Sequence, residues 1–358
     1  EGYRRHTFQG LNVFLAEMFN QFGDILGTRQ GDFETGVKGL PFAIQNFAQQ
    51  ARESTAKIEL TKLASEGQTI DAEVKVTNLT GHRLPSGVGF RRLFIEFVVI
   101  DSTRGDDRVV WASGQTNGAG VLVGDRGQVL PEEFFETYEK DGKTKQHYHH
   151  HHNLITSPNQ VQVYEELAHD GTGKLTTSFI RRVDHVKENR LLPMGWSRDK
   201  LKGKLPSAFL KATFPGHETD GDPEYQDGSG TDVIRYKVTL PDCFDCKKMK
   251  VRVRLYSQAW APYYLRDRFE NVPDGPEGEA RRRLYYLASH LKTEGTYIED
   301  WKFQLVEAHA VVGEPLGESA ASSTEEYERQ LYPERYKKKK EEEKKAKELG
   351  YREGKGCG

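Results

Sequence analysis

The chain has 358 residues, with 52 basic and 54 acidic side chains and a formal net charge of -2. That balance excludes a generic nucleic-acid surface, and no apolar run approaches the ~20 residues that cross a bilayer as a helix. Thirty-five Gly and 14 Pro put much of the chain in turns and loops, while 16 Tyr, 18 Phe and 4 Trp supply the mass of a core.

Residues 1–55 are predicted helical. Leu11, Phe14, Leu15, Met18, Phe19 and Phe22 recur on one helical face. A second helix is expected from about Pro41, with Ile44, Phe47, Ala48 and Ala51 inward. The period changes to two near Ala56, and Ile70, Ala72, Val74 and Val76 repeat it across Gly67, which predicts a hairpin. Leu93–Ile100 is a denser, central strand, followed by Val109–Trp111. Gly114–Gln146 reads as a long irregular stretch. Strands are expected at Gln160–Leu167 and Lys174–Arg182, and 189–230 is loop-rich. Val233–Leu240 and Met249–Gln258 read as a second hairpin, Glu277–Leu291 as a helix and Trp301–Ala308 as a last strand. The fold class expected is mainly β: a two-sheet antiparallel sandwich over 56–312, with the helical segment 1–55 in front and the extra helix near 277–291. From 313 to 358 the chain becomes a charged extended or helical tail, with Lys and Glu blocks and no apolar face.

Histidine is the first candidate for chemistry. His147, His149, His150, His151 and His152 fall within six positions, and neutral imidazole binds zinc, copper, nickel or haem iron. In an extended segment His149 and His151 face one way, His150 and His152 the other. A second candidate is Gly81-His82-Arg83-Leu84-Pro85-Ser86-Gly87, a shaped turn that presents His82 ahead of the central strand. Cys243 and Cys246 form a CxxC pair without the following His of a c-type haem site, since Lys247 stands there. A hairpin disulfide or free thiols are expected, with a metal or haem as alternatives. Asp220, Asp222, Glu224 and Asp227 lie near glycines and are calcium candidates, although their spacing is not that of an EF-hand. No GxSxG elbow, Walker loop, HExxH or dinucleotide fingerprint is present, so no catalytic residue is assigned.

Thr80–Gly87 followed by Arg92 and the Leu93 strand resembles the non-haem C-terminal β domain of large multihaem c-type cytochromes of the cytochrome c554-like kind. Trp111-Ala112-Ser113-Gly114, Val161–Gly171, Asn189–Pro193 and Val251–Pro262 continue the resemblance in order. The opening His6-Thr7-Phe8-Gln9-Gly10 looks like the part that adjoins the haem domain. The resemblance covers roughly residues 3–310, and it departs in one respect: no CxxCH haem site occurs in this sequence. It implies a haem-free structural and interaction subunit of an exported multihaem electron-transfer assembly, not an enzyme. No haem is attached covalently, and contact with a partner's c-type haem is expected. His6 is the implied axial ligand in trans, with His82 and the 147–152 cluster next. The partner is a multihaem c-type cytochrome subunit or further copies of this chain. The expected location is periplasmic or extracellular, which a processed start at Glu1 fits. A β-sandwich that binds calcium, a transition metal or carbohydrate is the alternative, with a hydrolase behind it.

Overall fold

Alternating apolar and polar side chains set the first sheet. In the computed structural model, which describes residues 10–28, 39–102, 106–204, 206–240, 246, 248–317, 337, 340, 341 and 344, strands β1 (Ala56–Glu66) and β2 (Thr69–Asn78) form an antiparallel hairpin. Ile70, Ala72, Val74 and Val76 are buried while the residues between them are half-exposed, as one buried sheet face requires. Gly67 turns the hairpin at φ 56°, a left-handed value that costs Gly nothing.

The remaining strands are β3 (Arg92–Asp101), β4 (Arg108–Ser113), β5 (Thr137–Lys140), β6 (Lys143–Gln146), β7 (Leu154–Ile155), β8 (Val163–Tyr164), β9 (Glu166–Asp170), β10 (Leu175–Thr176), β11 (Arg182–Glu188), β12 (Thr231–Thr239), β13 (Lys250–Gln258) and β14 (Phe303–Val311). The larger sheets run β1-β2-β12-β7 and β14-β13-β3-β4, with β8 also paired to β3; β10-β9-β11 and β5-β6 are separate. Phe97 of β3 stacks on Tyr236 of β12 with ring centroids 4.1 Å apart, which joins the two larger sheets across the main core. Strand β3 is buried on both faces. Leu93, Ile95, Phe97 and Val99 enter the main core, while Phe94 joins Leu122, Leu130, Val161, Val163 and Tyr256 in a second cluster. Burial on both sides explains why its sequence is a continuous apolar run.

The helices are α1 (Val13–Gln21), α2 (Gly23–Leu26), α3 (Gly39–Ser54), α4 (Arg198–Leu201), α5 (Ser207–Ala212), α6 (Glu224–Asp227), α7 (Pro262–Phe269) and α8 (Pro276–His290). Val13, Phe14 and Met18 of α1 and Ile44, Ala48 and Ala51 of α3 join the main core, where Phe14 stacks on Trp301 at 5.8 Å. The buried face of α1 is rotated from the expected one, because Leu15 and Phe19 are only half-buried.

Three expectations are corrected. The fold is mixed α/β with several sheets, not a plain two-sheet antiparallel sandwich: β7 joins β12 in parallel, and two small sheets lie outside the main pair. The predicted β12–β13 hairpin does not form. Strand β12 pairs with β2 and β7, whereas β13 pairs with β3 and β14, so their connection crosses between sheets. Alternation marks a strand but does not name its partner. The stretch 114–146 also carries the β5–β6 hairpin and a 3-10 turn at Pro131–Phe134. The helix expected at 277–291 is present as α8. In the tail, Lys337, Lys340, Glu341 and Lys344 are helical and exposed. Among the described residues, no helix is long and apolar enough to cross a membrane.

Candidate functional site

Arg92 opens β3 and pairs in register with Gln258, which closes β13. Its Nε donates to Gln258 Oε1 at 2.8 Å, and its two Nη groups donate to the Glu133 carboxylate at 2.6 and 2.9 Å. Glu133 also accepts from the Leu122 N–H at 3.0 Å and from His149 Nε2 at 2.9 Å. Both partners of the ion pair are fully buried. Burial alone would raise the Glu133 carboxyl, but the Arg92 guanidinium and His149 outweigh it and hold the pKa at about 2. Filling all the acceptor sites is what allows such a pair to stand without water.

The segment 147–152 has no regular structure, and His149 and His151 both turn inward. They do not share a ligand: His149 meets Glu133, whereas His151 Nε2 lies 2.9 Å from Asp222 Oδ2. The His151 tautomer follows from its surroundings. Gln162 Oε1 accepts from the His152 N–H at 2.8 Å, so its Nε2, 2.9 Å from His151 Nδ1, is a donor. Asn189 Oδ1 accepts from the Glu165 N–H at 3.0 Å, so its Nδ2, 3.3 Å from the same Nδ1, is also a donor. Nδ1 therefore accepts, and the ring proton sits on Nε2, facing Asp222.

Asp232 lies beneath this pair. Its Oδ2 accepts from Tyr164 Oη at 2.8 Å and Gln162 Nε2 at 3.1 Å. Its Oδ1 is buried with no hydrogen-bond partner. Burial, the main cause, raises the Asp232 pKa to about 6. Nearby, the Asp222 carboxylate, ahead of burial, raises Glu224 to about 7. One ligand atom each from His151, Asp222 and Asp232 lies within 4.8 Å of the others. Lys187 is fully buried and donates to Glu165 Oε1 at 3.1 Å and the Val163 carbonyl at 2.9 Å. Burial, then Lys187, lowers His152 to about 4, which keeps it neutral.

The other sequence candidates disperse. His150 is exposed and bonds Glu218 at 2.9 Å, and the His147 ring lies 4.3 Å from that of Tyr138. Of the four calcium candidates only Asp222 and Glu224 come together; Asp220 pairs with exposed His217, and Asp227 accepts from the Ser229 N–H. Cys246 is buried in the main core, whereas Cys243 lies outside the described residues, as does His6. Asp232, Gln162, Asn189 and Glu133 carry no motif in the sequence. Buried polar residues inside strands and turns were the available signal. Glu166, His185 and Glu188 also approach one another, but Arg182, Arg190 and Arg83 already answer the two carboxylates.

His82 is exposed, on a loop fixed at several points. Asn78 Nδ2 donates to the His82 carbonyl at 2.8 Å, Arg83 pairs with Glu188 at 2.7 Å, and Leu84 and Leu191 exchange two backbone bonds of 2.9 Å. His82 Nδ1 lies 2.9 Å from the Arg83 carbonyl oxygen. A carbonyl only accepts, so Nδ1 donates here, and in the neutral ring Nε2 is then the nitrogen with the lone pair. His82 also lines a cavity of about 110 Å³.

No protein-family model and no curated protein matches the chain. A solved structure that resembles it is a penta-heme cytochrome c552 from Thermochromatium tepidum, with a TM-score of 0.37 and 13% sequence identity, covering 74% of this chain and 40% of that one. The chain thus spans less than half the length of that cytochrome, and a likeness of this degree carries no argument about fold or function.

Proposed function

We propose that this chain is a docking module that contacts a c-type haem belonging to another protein and presents His82 to its iron. One observation carries the reading: the Arg83 carbonyl, 2.9 Å from His82 Nδ1, selects the Nδ1–H tautomer of the neutral ring, in which Nε2 is the ligating nitrogen on an exposed, anchored loop. A metal-bound imidazole is typically held this way, with its second nitrogen donating to a carbonyl or carboxylate. The residues therefore fit an axial ligand. A haem so held would carry electrons, at a potential set by its axial ligand and by burial. This chain's own part is to supply and orient an imidazole and to cover haem surface from water. His6 remains a second axial candidate by resemblance alone. The partner is a multihaem c-type cytochrome or a further copy of the chain within such an assembly, in the periplasm or outside the cell. A disulfide between Cys243 and Cys246, one of the two states expected from their spacing, would suit that location.

The test is optical. Full-length chain is titrated into a c-type haem octapeptide whose iron has one open axial position. Conversion of the Soret band to its low-spin form is expected with the unmodified chain and with His150→Ala, but not with His82→Ala. Conversion unaffected by His82→Ala overturns the reading.

A second reading rests on Asp232. Its Oδ1 has no partner, and one of its carboxylate oxygens lies within 4.8 Å of ligand atoms of Asp222 and His151, which suits a divalent cation held by carboxylate oxygens. His151 is not the ligand in that reading, because a metal on Nε2 would turn a protonated Nδ1 toward two amide donors.

A further inference from the structure

The cavity beside His82 contains a charge that no acid among the described residues answers. Arg91 lines it together with His82, Ser86, Phe47, Leu11 and Leu84. Three arginines stand in this part of the chain. Arg83 pairs with Glu188 and Arg92 with Glu133. Arg91 has no ion-pair partner among the described residues; the hydrogen bond of its side chain runs from Nη1 to the Ser86 carbonyl at 3.2 Å. Its Nε is buried and unbonded. Burial, with no acid to offset it, lowers the Arg91 pKa.

A half-buried guanidinium without a counter-ion costs the fold free energy that either carboxylate pairing or full hydration would recover. The planar fork of Arg matches a carboxylate through two parallel hydrogen bonds. The lining is mixed: Leu11, Phe47 and Leu84 supply apolar surface, and Gln50, Thr55, Thr80 and Ser257 supply polar groups. A ligand with an anionic head for Arg91 and a short alkyl arm suits such a lining, and about 110 Å³ accommodates that size.

We propose that this cavity is a carboxylate-binding site in which Arg91 binds the carboxylate of a short alkyl acid. The acid is the propionate arm of the haem that His82 contacts, or a free alkyl carboxylate of the same chemistry. The first source rests on the haem reading; the second does not. A haem carries its propionates at the edge of the ring that surrounds its iron. One haem can thus meet an imidazole and a guanidinium at neighbouring points.

The test uses the full chain and three probes: the haem octapeptide with free propionates, the same peptide with its propionates esterified, and sodium butyrate. Affinity is read by calorimetry, and Arg91 is followed by its 15Nε resonance. The unmodified chain is expected to bind the free acid about tenfold more tightly than the ester, as the loss of one charge-assisted contact implies. Arg91→Gln should abolish that ratio and Arg91→Lys should keep part of it, with both variants checked for unchanged thermal unfolding. His82→Ala should remove the low-spin spectrum and leave the acid-to-ester ratio in place, which separates failure of axial ligation from failure of this site. If acid and ester bind alike while butyrate shifts the Arg91 resonance, the ligand is a free carboxylate. Equal binding of acid and ester together with an unmoved Arg91 resonance overturns the proposal.

Discussion

His151 and Asp222 meet at 2.9 Å with side chains 1% and 2% exposed, and two amide donors on the far side of the ring fix which nitrogen is protonated. The network therefore predicts the Nε2–H tautomer. Nitrogen-15 spectra of the labelled chain should show His151 Nδ1 as the unprotonated nitrogen. Asp222→Ala should cost about 2 kcal/mol in urea unfolding, the scale of a buried hydrogen bond to a charged group. An Nδ1–H tautomer would contradict the assignment.

The Arg92–Glu133 pair is buried on both sides, so removing one partner strands the other. Glu133→Gln should cost about 3–5 kcal/mol. The double replacement Arg92→Met with Glu133→Leu should cost less than the sum of the two single changes. Additive costs in a double-mutant cycle would show that the two side chains are not coupled.

The pH dependence of stability should contain two opposing limbs. Burial raises Asp232 to about 6, and the neighbouring Asp222 raises Glu224 to about 7. Both carboxyls hold protons in the folded chain at pH values where the unfolded chain has released them, so they make stability fall as pH rises from about 4 to 7. Burial lowers His152 to about 4 against about 6.5 when unfolded, so it makes stability fall as pH drops through that window. In the unmodified chain the two carboxyls together outweigh His152, so stability falls as pH rises across the window. Asp232→Asn should remove much of that fall between about 4 and 6.5, on the order of 1–2 kcal/mol. His152→Gln should steepen it. Urea midpoints at several pH values check both, and parallel curves for all three chains would refute the assignment.

A cation at Asp232 would answer its partnerless Oδ1. Calcium or manganese(II) at 100 times its dissociation constant should stabilise the chain by about 2.7 kcal/mol, and Asp232→Asn should abolish the gain. Thermal unfolding with and without chelator is the measurement. An unchanged midpoint at millimolar metal removes the second reading.

The sequence carried the β1–β2 hairpin, the central β3 and α8 because each has a local period or a dense apolar run. It did not carry sheet membership, since the alternation of Val233–Leu240 and of Met249–Gln258 is the same whether they pair with each other or with distant strands. The histidine run was visible as composition. Its division between Glu133, Glu218 and Asp222 was not, because those partners are 16 to 71 residues away. His82 was legible as a candidate from its Gly, Pro and Ser neighbours, but the proton on its Nδ1 depends on the backbone path of Arg83. That Arg91 has no acidic partner among the described residues had no sequence signature at all.

The central claim is that His82 Nε2 binds iron. The most direct measurement is an NMR spectrum of the 15N-histidine-labelled chain with the ferric haem octapeptide. One imidazole should acquire the large paramagnetic shift of an iron-bound ligand, and that resonance should vanish in His82→Gln. A shifted resonance that persists in His82→Gln, or none at saturating haem peptide, would contradict the account.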